Sequence, residues 1–332
     1  MQVGIYIRDY MEDPTRPMYD QIEEAAEVCR VAGSFGFHAI YMPQHFIGYP
    51  TVWPQPMQIL SRLAPEAKDL RLLTGIIMLP YHNPVDIAEQ TVTMDQISNG
   101  RFTLGLGLGY REKELEAFGT NRRDRASRFE ESLALMKMLW TGEEVSFEGN
   151  HWTVHEGRLS LLPVQKPHPP VWVAAQSRAA VRRAARMCDA AIIGPQPKWE
   201  DYKSLATMYR EALEEYGTTG TLAANRSIAI GADRDTAIRE ALATGEKKAA
   251  QYRGFEMQES TTVDFGLGGG RPLPEWAITG TPEECAERIA RCHEEDGLEF
   301  IGLATLNLPS EHKARLEYLQ MIGEEFVSRL PK

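Results

Sequence analysis

Apolar and polar positions follow a regular pattern along the chain: short runs of apolar, β-branched residues are each followed by an amphipathic stretch. This alternation is typical of repeated strand–helix units that build a parallel sheet. The pattern predicts eight strands, at residues 3–8, 38–42, 72–78, 103–107, 171–175, 190–193, 227–230 and 300–305. Eight strands with helices between them favour an α/β fold of the (β/α)₈ TIM barrel type over an open sheet.

Two of the intervening helices are marked clearly. Apolar residues recur at helical spacing between residues 22 and 29 and again between residues 129 and 140. Gly33 and Gly142 follow these stretches, and glycine is a common stop signal because it readily adopts the left-handed conformation found after many helices. We therefore expect the first helix to end at Gly33 and the second at Gly142.

Three segments interrupt the alternation. Residues 48–56 carry Trp53 among three prolines, residues 143–170 begin with a hairpin pattern, and residues 245–280 include a glycine-rich stretch. We expect a single domain, 1–332, in which the segments at about 143–170 and 245–280 are insertions in the loops that follow strands. Such loops gather at the catalytic face of a barrel.

The charge balance limits the choice of partners. The chain has 36 basic and 47 acidic side chains and a net charge of −11, so a general attraction to nucleic acid or to an anionic membrane is not expected. The first residues enter a strand pattern without the features of a signal peptide, and no apolar window approaches the roughly 20 residues that cross a bilayer. We expect a cytoplasmic protein.

The four cysteines are too few and too scattered to indicate a disulfide framework. Cys285, Cys292 and His293 raise the question of a metal site. However, the two cysteines and Ile289 fall on one apolar face of a helical pattern, and their spacing is not that of metal ligands. We predict buried thiols and no metal.

Two stretches at strand ends carry candidate chemistry. His45 follows the second strand in a loop, the position where scaffolds often keep functional residues. The stretch at 100–111, around the fourth strand, has alternate glycines that allow a flat or bulky group to approach the backbone. A tightly packed barrel corner explains these glycines equally well. A dinucleotide-binding fingerprint does not explain them, because that motif occurs in the first strand–helix unit of a fold and this stretch lies at the fourth strand.

Ser177 follows the fifth strand at the start of a predicted helix, where backbone N–H groups and the helix dipole can bind a phosphate. Arg178, Arg182 or Arg183 could add positive charge there. The alternative is an ordinary N-cap serine, which produces the same pattern.

The turn after the third strand is a further candidate. His82 stands where a loop residue can face a pocket. Asn83 precedes Pro84, and asparagine before a proline at the first helical position is also a common helix cap. The sequence leaves both explanations open for this turn.

Taken in order, the motifs of the chain resemble the bacterial luciferase-like family of flavin-dependent oxidoreductases. The resemblance runs through most of the chain, and the set is specific although each motif is short. Its parts are Gln44-His45-Phe46, Leu79-Pro80-Tyr81-His82-Asn83-Pro84-Val85, residues 95–102, Gly105-Leu106-Gly107-Leu108-Gly109-Tyr110, residues 114–119, 128–131 and 163–172, and Gln176-Ser177.

This resemblance implies a barrel that holds the ring of FMN, or of the deazaflavin F420, at the carboxyl ends of its strands. It places a strand bulge with a cis peptide bond that does not involve proline, Gly75-Ile76, under that ring, and it assigns catalysis to His45. The residues implied for cofactor binding are Gly75, Ile76, Gly107, Gly109 and Tyr110 near the ring and Gln176, Ser177 and Arg178 at the phosphate.

The sequence departs from the family pattern at two places. Many flavin-using members have Glu-His-His-Phe where this chain has Pro-Gln-His-Phe at residues 43–46, so an acidic residue and one histidine are missing. Luciferase carries an arginine at the position of Leu108, so light emission with a long-chain aldehyde is not expected. Flavin binding is still expected, because Arg178 and its neighbours supply charge.

The activity that the resemblance implies is that of a two-component monooxygenase. A separate reductase supplies reduced FMN, O₂ adds at the flavin C4a carbon, and the resulting peroxide oxygenates a small organic substrate while His45 exchanges a proton. The alternatives are an F420-dependent oxidoreductase that transfers hydride and a non-catalytic flavin-binding barrel. The resemblance also implies a homodimer. Phe46, Tyr49, Trp53, Trp152 and the loop at 265–274 suggest an apolar substrate pocket, and a place in the core or in a subunit contact explains these aromatic residues equally well.

Overall fold

The structure is a computed structural model that describes residues 1–49, 51–195, 197–252, 273 and 277–332. A barrel of parallel strands forms its centre. In chain order the strands are β1 (Gln2–Tyr6), β2 (Ala39–Met42), β3 (Arg71–Thr74), β4 (Ile77–Met78), β5 (Phe102–Gly107), β6 (Val145–Glu148), β7 (Thr153–Gly157), β8 (Val171–Ala174), β9 (Ala190–Ile193), β10 (Thr221–Ile230), β11 (Ile278–Gly280) and β12 (Leu298–Thr305).

Helices surround this barrel. In chain order they are α1 (Met18–Ser34), α2 (Pro56–Leu63), α3 (Pro84–Ile97), α4 (Glu112–Ala117), α5 (Arg125–Leu139), α6 (Arg178–Met187), α7 (Trp199–Tyr216), α8 (Arg234–Tyr252), α9 (Pro282–Asp296) and α10 (His312–Met321). None of the helices in the described ranges combines the length and the apolar character that crossing a membrane requires.

Backbone hydrogen bonds close the strands into a ring. β1 pairs with β2 and with β12, and the ring continues through β3, β5, β8 and β9 to β10, which pairs back to β12. All of these pairings are parallel. β11 extends the far end of β10. The (β/α)₈ barrel predicted from the hydrophobic pattern is confirmed, and each predicted strand overlaps a strand of the barrel, although the first ends at Tyr6 and not at residue 8.

The third barrel strand differs from the prediction of one strand over 72–78. It consists of β3 and β4, which are separated by Gly75 and Ile76. The peptide bond between these two residues is cis, as the resemblance implied. The hydrophobic pattern alone could not show the break, because the parts on both sides of it are largely apolar and buried and so predict one continuous strand.

Aromatic rings and glycines fill the inside of the barrel in matched pairs. The rings of Trp172 and Phe300 meet edge to face with centroids 4.9 Å apart. A Cβ atom on Gly4 would lie 2.6 Å from the Phe300 ring, and one on Gly75 would lie 2.7 Å from the ring of Tyr41. Glycine at these positions lets the large rings fill the interior at the density of a protein core.

The cysteines are buried, as predicted. Cys285 and Cys292 lie on the buried side of α9 together with Ile289. Burial raises the pKa of Cys285 to about 12 and that of Cys292 to about 11, so both are neutral thiols at neutral pH.

Of the two predicted glycine stop signals, Gly142 lies in the turn after its helix and Gly33 lies inside its helix. α1 continues through Gly33 to Ser34, so the expected stop at Gly33 is wrong, and Gly36 takes the left-handed conformation with φ of 82°. α5 ends at Leu139, and Gly142 is left-handed with φ of 81°. Each helix ends within three residues of its left-handed glycine, which agrees with the physical reason for the signal.

The hairpin formed by β6 and β7 lies between α5 and β8. The expectation that residues 143–170 are inserted after a strand is therefore wrong, because they connect a helix to the next strand. The hairpin packs on α5, where Glu131 accepts hydrogen bonds of 2.8 Å from the backbone N–H groups of His151 and Trp152. Most of 245–280 lies outside the described residues, and the single domain, the homodimer and the cytoplasmic location stay predictions.

We predict that Gly105→Ala lowers the free energy of unfolding by about 1–3 kcal/mol, the usual effect of overpacking a buried site. A Cβ atom there would fall inside the contact distance of the backbone oxygen of Thr74. The strand that carries Thr74 cannot easily move away from Gly105. The Thr74 hydroxyl accepts a hydrogen bond from the Gly105 N–H at 2.8 Å and donates one to the Gly105 carbonyl at 2.9 Å. Urea unfolding followed by circular dichroism measures the change.

Gly33→Ala is the matched control. Its added methyl group would lie 3.8 Å from the Leu70 side chain, an ordinary contact distance. Alanine also favours a helix over glycine by roughly 0.5–1 kcal/mol, so unchanged or increased stability is expected. Equal losses at both positions would show that crowding is not the cause.

Candidate active site

The carboxyl ends of four barrel strands bring the residues singled out from the sequence to one face. His45 follows β2, the cis peptide follows β3, Gly107 ends β5, and residues 176–178 follow β8. These ends are neighbours, because β5 pairs with both β4 and β8. The backbone N–H of Gln44 donates to the Ile76 carbonyl at 3.1 Å, which ties the His45 loop to the cis peptide.

His45 is held by a carboxylate from a distant part of the chain. Its Nδ1 lies 3.0 Å from Oε1 of Glu114, which is 69 residues further on in α4. The Glu114 side chain is fully buried, and that of His45 is 12% exposed. Closure of the barrel thus places an acidic group beside His45, and the sequence motif around His45 does not itself contain such a group.

The Glu114 carboxylate binds the histidine loop at several points. Oε1 also accepts hydrogen bonds from the backbone N–H of Phe46 at 2.9 Å and from Arg111 Nη1 at 2.7 Å. The same Arg111 nitrogen donates to the Phe46 carbonyl at 2.9 Å. Oε2 lies 3.4 Å from the Tyr81 hydroxyl. A buried charge needs a partner and hydrogen bonds of this kind, so the site fixes the loop through side chain and backbone together.

The surroundings of Glu114 and His45 determine the protonation state and the tautomer of His45. Burial alone would raise the pKa of Glu114, but hydrogen bonds from His45, Phe46 and Arg111 outweigh burial and hold this pKa below its ordinary value. Burial lowers the pKa of His45, although Glu114 opposes the shift. An ionised carboxylate only accepts hydrogen bonds, so neutral His45 carries its proton on Nδ1. Nε2 is then the basic nitrogen of the site.

Gln44, which replaces a family histidine, has a structural position. Its Oε1 accepts from the backbone N–H of Met78 at 3.2 Å and lies 3.1 Å from Nε2 of His82. Its Nε2 donates to Gln55 at 3.0 Å, and Gln55 donates to the carbonyl of His45 at 3.3 Å. This buried amide therefore ties the β2 loop to β4 and to the segment before α2.

Aromatic rings stand around His45. The Trp53 ring meets the imidazole edge to face at a centroid distance of 4.6 Å, and the Tyr110 ring does so at 5.8 Å. The guanidinium of Arg8 lies 3.9 Å from the centroid of Trp53, a cation–π contact. The structure thus brings together His45 and Tyr110, which the resemblance assigned to catalysis and to the cofactor.

The other aromatic residues expected in a substrate pocket lie elsewhere. Phe46 packs at 4.4 Å against Phe118 in a small separate core. Tyr49 is 91% exposed. Trp152 lies in the hairpin under the guanidinium of Arg128, 4.6 Å away. Of the four described aromatic residues that the sequence suggested, Trp53 is the one whose ring contacts His45, and the loop at 265–274 lies almost entirely outside the described residues.

Glycines at the end of β5 allow side chains of the protein to close on the strand. A Cβ atom on Gly107 would collide with the Ile76 side chain, and one on Gly109 would collide with the Tyr81 ring. Gly109 also has φ of 75°, a conformation that other residues rarely adopt. Tight packing at a barrel corner, one of the two explanations from the sequence, therefore accounts for these glycines.

The segment after β8 starts α6. The Ser177 hydroxyl accepts a hydrogen bond from the backbone N–H of Ala180 at 3.3 Å, so the N-cap explanation is confirmed. Gln176 and Arg178 are exposed beside it. Asn83 likewise caps α3 by accepting from the backbone N–H of Val85 at 2.9 Å. A phosphate-binding role for residues 176–178 stays a prediction.

Glu114 and Arg111 are the residues of the site that sequence reasoning missed. Glu114 begins one of the motifs that carried the resemblance and Arg111 directly follows another, but neither was given a role. The sequence signal for both was a pair of opposite charges three residues apart, directly after the glycine-rich strand end. A short helix exposes most such pairs to solvent, so this pair did not stand out. Within the described ranges, no group of three or more side chains could hold a metal ion.

The comparison with known sequences identifies the family. The sequence profile of the luciferase-like monooxygenases matches residues 1–299. The chain belongs to the luciferase-like monooxygenase family. The oxygenase component of a flavin-dependent trigonelline monooxygenase from Acinetobacter baylyi is 32% identical to this luciferase-like chain over 163 residues, which are 48% of the chain and 44% of the relative. The chain spans about half the length of the first curated relatives that it matches.

Solved structures share the fold of this luciferase-like chain. The oxygenating constituent of 3,6-diketocamphane monooxygenase, a type II Baeyer-Villiger enzyme from the CAM plasmid of Pseudomonas putida in complex with FMN, superposes with a TM-score of 0.80 at 20% identity over 100% of the chain and 99% of its own. An F420-dependent secondary alcohol dehydrogenase with an F420–acetone adduct superposes with a TM-score of 0.76 at 18% identity over 100% of the chain and 99% of its own.

We predict that Glu114→Gln lowers the free energy of unfolding at pH 7 by about 3 kcal/mol, because it leaves the buried Arg111 guanidinium without its carboxylate. The folded pKa of Glu114 is below its ordinary value of 4.5, so its contribution is complete above pH 4.5 and is lost as the pH falls through the folded value. The difference in the free energy of unfolding between the unaltered protein and Glu114→Gln should therefore become smaller in acid. Urea unfolding at several pH values measures it.

Glu112→Gln serves as the control, since it removes a carboxylate from the same helix. Glu112 is 56% exposed and pairs with Arg122 at 2.6 Å. Exposed pairs of this kind contribute less than about 1 kcal/mol. A loss at Glu114 no larger than the loss at Glu112 would contradict the central role of the buried carboxylate.

Proposed function

We propose that this protein is a flavin-dependent monooxygenase that uses reduced FMN and O₂ to oxygenate a small, apolar organic substrate. One observation carries the proposal: a neutral histidine with a fixed tautomer stands at the catalytic face of a barrel from the luciferase-like monooxygenase family. The relative described as an oxygenase component supports a two-component system, in which a separate reductase supplies the reduced FMN.

The residues at the strand ends fit a flavin-type ring and its tail. Ile76 is half-exposed and presents an apolar surface over Gly107, while Tyr110 stands at the side of His45. The start of α6 offers backbone N–H groups and the charge of Arg178 to a phosphate. When bound, reduced FMN would supply the electrons with which O₂ is activated.

His45 is the residue to which we assign proton transfer. Its basic Nε2 can take a proton from the substrate or return one to the oxygen that is transferred. Glu114 and Arg111 act through His45 by fixing its tautomer and ring position. The rings of Trp53 and Tyr110 restrict water around the imidazole.

Hydride transfer with F420 is the alternative function. The fold likeness to an F420-dependent secondary alcohol dehydrogenase in complex with an F420–acetone adduct supports it, since one fold can serve different cofactors. A neutral histidine suits either reaction, because both need a group that exchanges a proton near the substrate. The behaviour of the protein toward reduced FMN and O₂ separates the two functions.

We predict that the protein slows the reoxidation of reduced FMN. A bound ring is shielded from bulk water and from other flavin molecules, so its reaction with O₂ depends on the site. Stopped-flow absorption after mixing the anaerobic complex with oxygenated buffer measures the rate, with free reduced FMN as the control. Reoxidation at the rate of free flavin, despite demonstrated binding, would contradict the proposal, and tight binding of F420 would then support the alternative.

We predict that the acid limb of the pH profile of kcat/KM lies below pH 6.5, the ordinary pKa of histidine. The pKa of His45 is lowered by burial, so its base form persists at pH values where an exposed histidine is protonated. His45→Asn should reduce turnover about 10²–10⁴-fold, the usual contribution of general acid–base catalysis, and should abolish this limb.

His82→Asn is the matched control for His45. Burial also lowers the pKa of His82, but this histidine contacts the amide of Gln44 instead of a carboxylate. His82→Asn should reduce turnover much less than His45→Asn does, and it should leave the acid limb of the kcat/KM profile in place. Full turnover of the His45 variant, with FMN still bound, would remove the proton-transfer role.

A further inference from the structure

A buried arginine lies outside the barrel, between β10 and the start of α7. The side chain of Arg226 is 1% exposed. Its guanidinium carbon lies 4.8 Å from the ring centroid of Trp199 and 4.9 Å from that of Tyr202. Trp199 is the first residue of α7 and Tyr202 is the fourth, so Arg226 faces the layer of helices and not the interior of the barrel.

Hydrogen bonds satisfy one of the three guanidinium nitrogens of Arg226. Its Nη1 donates to the carbonyl of Gly194, directly after β9, at 2.5 Å and to the carbonyl of Asn225 at 3.0 Å. Nε and Nη2 are buried and have no hydrogen-bond partner among the residues that the structure describes. Burial lowers the pKa of Arg226 to about 10, so the side chain stays charged at neutral pH. A buried cation of this kind costs free energy unless a partner is supplied.

The groups around Arg226 add donors and positive charge. Arg288 of α9 holds its guanidinium 4.5 Å from the centroid of the same Trp199 ring. The indole Nε1 of Trp199 and the hydroxyl of Tyr202 are also buried without a hydrogen-bond partner in the described part of the chain. A group of N–H and O–H donors requires an acceptor, and a negatively charged acceptor also offsets the buried charge.

The start of α7 contributes to the positive character of this place. The helix is 18 residues long, and its N-cap residue, Lys198, supplies no side-chain acceptor to the first turn. The free N–H groups of a first turn and the helix dipole attract anions. Arg226 lies against the rings of this first turn, so the helix start and the guanidinium act on the same volume.

The acidic side chains near this cluster do not neutralise it. Glu200 and Asp201, in the first turn of α7, are exposed. Asp296, at the end of α9, acts electrostatically on Tyr202, but within the described ranges no carboxylate forms an ion pair with Arg226. Burial also raises the pKa of Asp296, which weakens its negative charge. The missing partner of Arg226 must therefore come from outside the chain.

We propose that Arg226, the Tyr202 hydroxyl and the start of α7 bind a small inorganic anion, chloride. A monatomic ion suits the site better than an organic anion, because Arg226 and Tyr202 are 1% and 0% exposed and offer no open face to a larger group. The ion would join α7 and β10 to the Gly194 turn after β9. The inference goes beyond the proposed function and does not depend on it, since the site lies in the helix layer and needs no flavin.

Bromide tests the site directly, because it replaces chloride and gives an anomalous X-ray signal. Crystals of the protein grown in sodium bromide should show an anomalous peak in contact with Nε and Nη2 of Arg226. Electron density at this position without an anomalous signal would identify water, which is the other common partner of buried donors. That result would overturn the proposal.

The stability of the protein in solution gives an independent test. Urea unfolding is measured at pH 7 and constant ionic strength while sodium chloride replaces sodium gluconate. The folding equilibrium constant of the unaltered protein should rise with chloride, by about tenfold when chloride reaches ten times its Kd. Arg226→Met should remove this dependence. The variant is expected to fold, because an apolar side chain of similar length often replaces a buried ion without loss of stability.

Arg291→Met is the matched control, since it removes an exposed arginine from α9. It should keep the chloride dependence of the unaltered protein, and the same dependence in all three proteins would show a general salt effect and contradict the site. Tyr202→Phe provides a second variant, which keeps Arg226 and removes one donor to the ion. It should raise the Kd for chloride roughly 2- to 10-fold, the usual effect of one lost hydrogen bond.

Discussion

The candidate site depends on one buried carboxylate. Glu114 is fully buried, and one of its oxygens accepts hydrogen bonds from a side-chain imidazole, a guanidinium and a backbone amide. A charge in such a place is tolerated only while these donors stay in position, because each lost contact leaves an unpaired ion in a low-dielectric environment. The loop after β2 is therefore rigid for an electrostatic reason, and it holds His45 without needing regular secondary structure.

The same carboxylate compensates for the departure of residues 43–46 from the family pattern. The acidic residue is absent from this motif, but an acidic residue does stand beside His45, and it comes from α4. Gln44 takes over the bonding of the loop to β4, a task that needs both a donor and an acceptor and no charge. Glu114 therefore fixes the tautomer of His45, and Gln44 only holds the loop in position.

The sequence predicted what depends on local patterns and failed where distant segments meet. The barrel strands and the position of His45 after β2 followed from apolar runs and their ends. Glu114 was missed because its partner is 69 residues away and the contact exists only after the barrel closes. The break between β3 and β4 did not follow from the hydrophobic pattern, because apolar residues continue across it, and only the family resemblance indicated it. The contact of Trp152 with Arg128 of α5 was not foreseen either, because no local pattern shows how the hairpin packs.

The placement of positive charge at the start of α5 has its own physical logic. Leu108 is partly buried and packs against the main core, so a cation at that point would lose much of its hydration. Arg125 is instead the first residue of α5 and is only partly buried. Arg178 begins α6 in the same way. Cations at the positive ends of helix dipoles are disfavoured by roughly 0.3–1 kcal/mol each. These two helix starts therefore carry a small repulsion that a neutral or acidic first residue would not have.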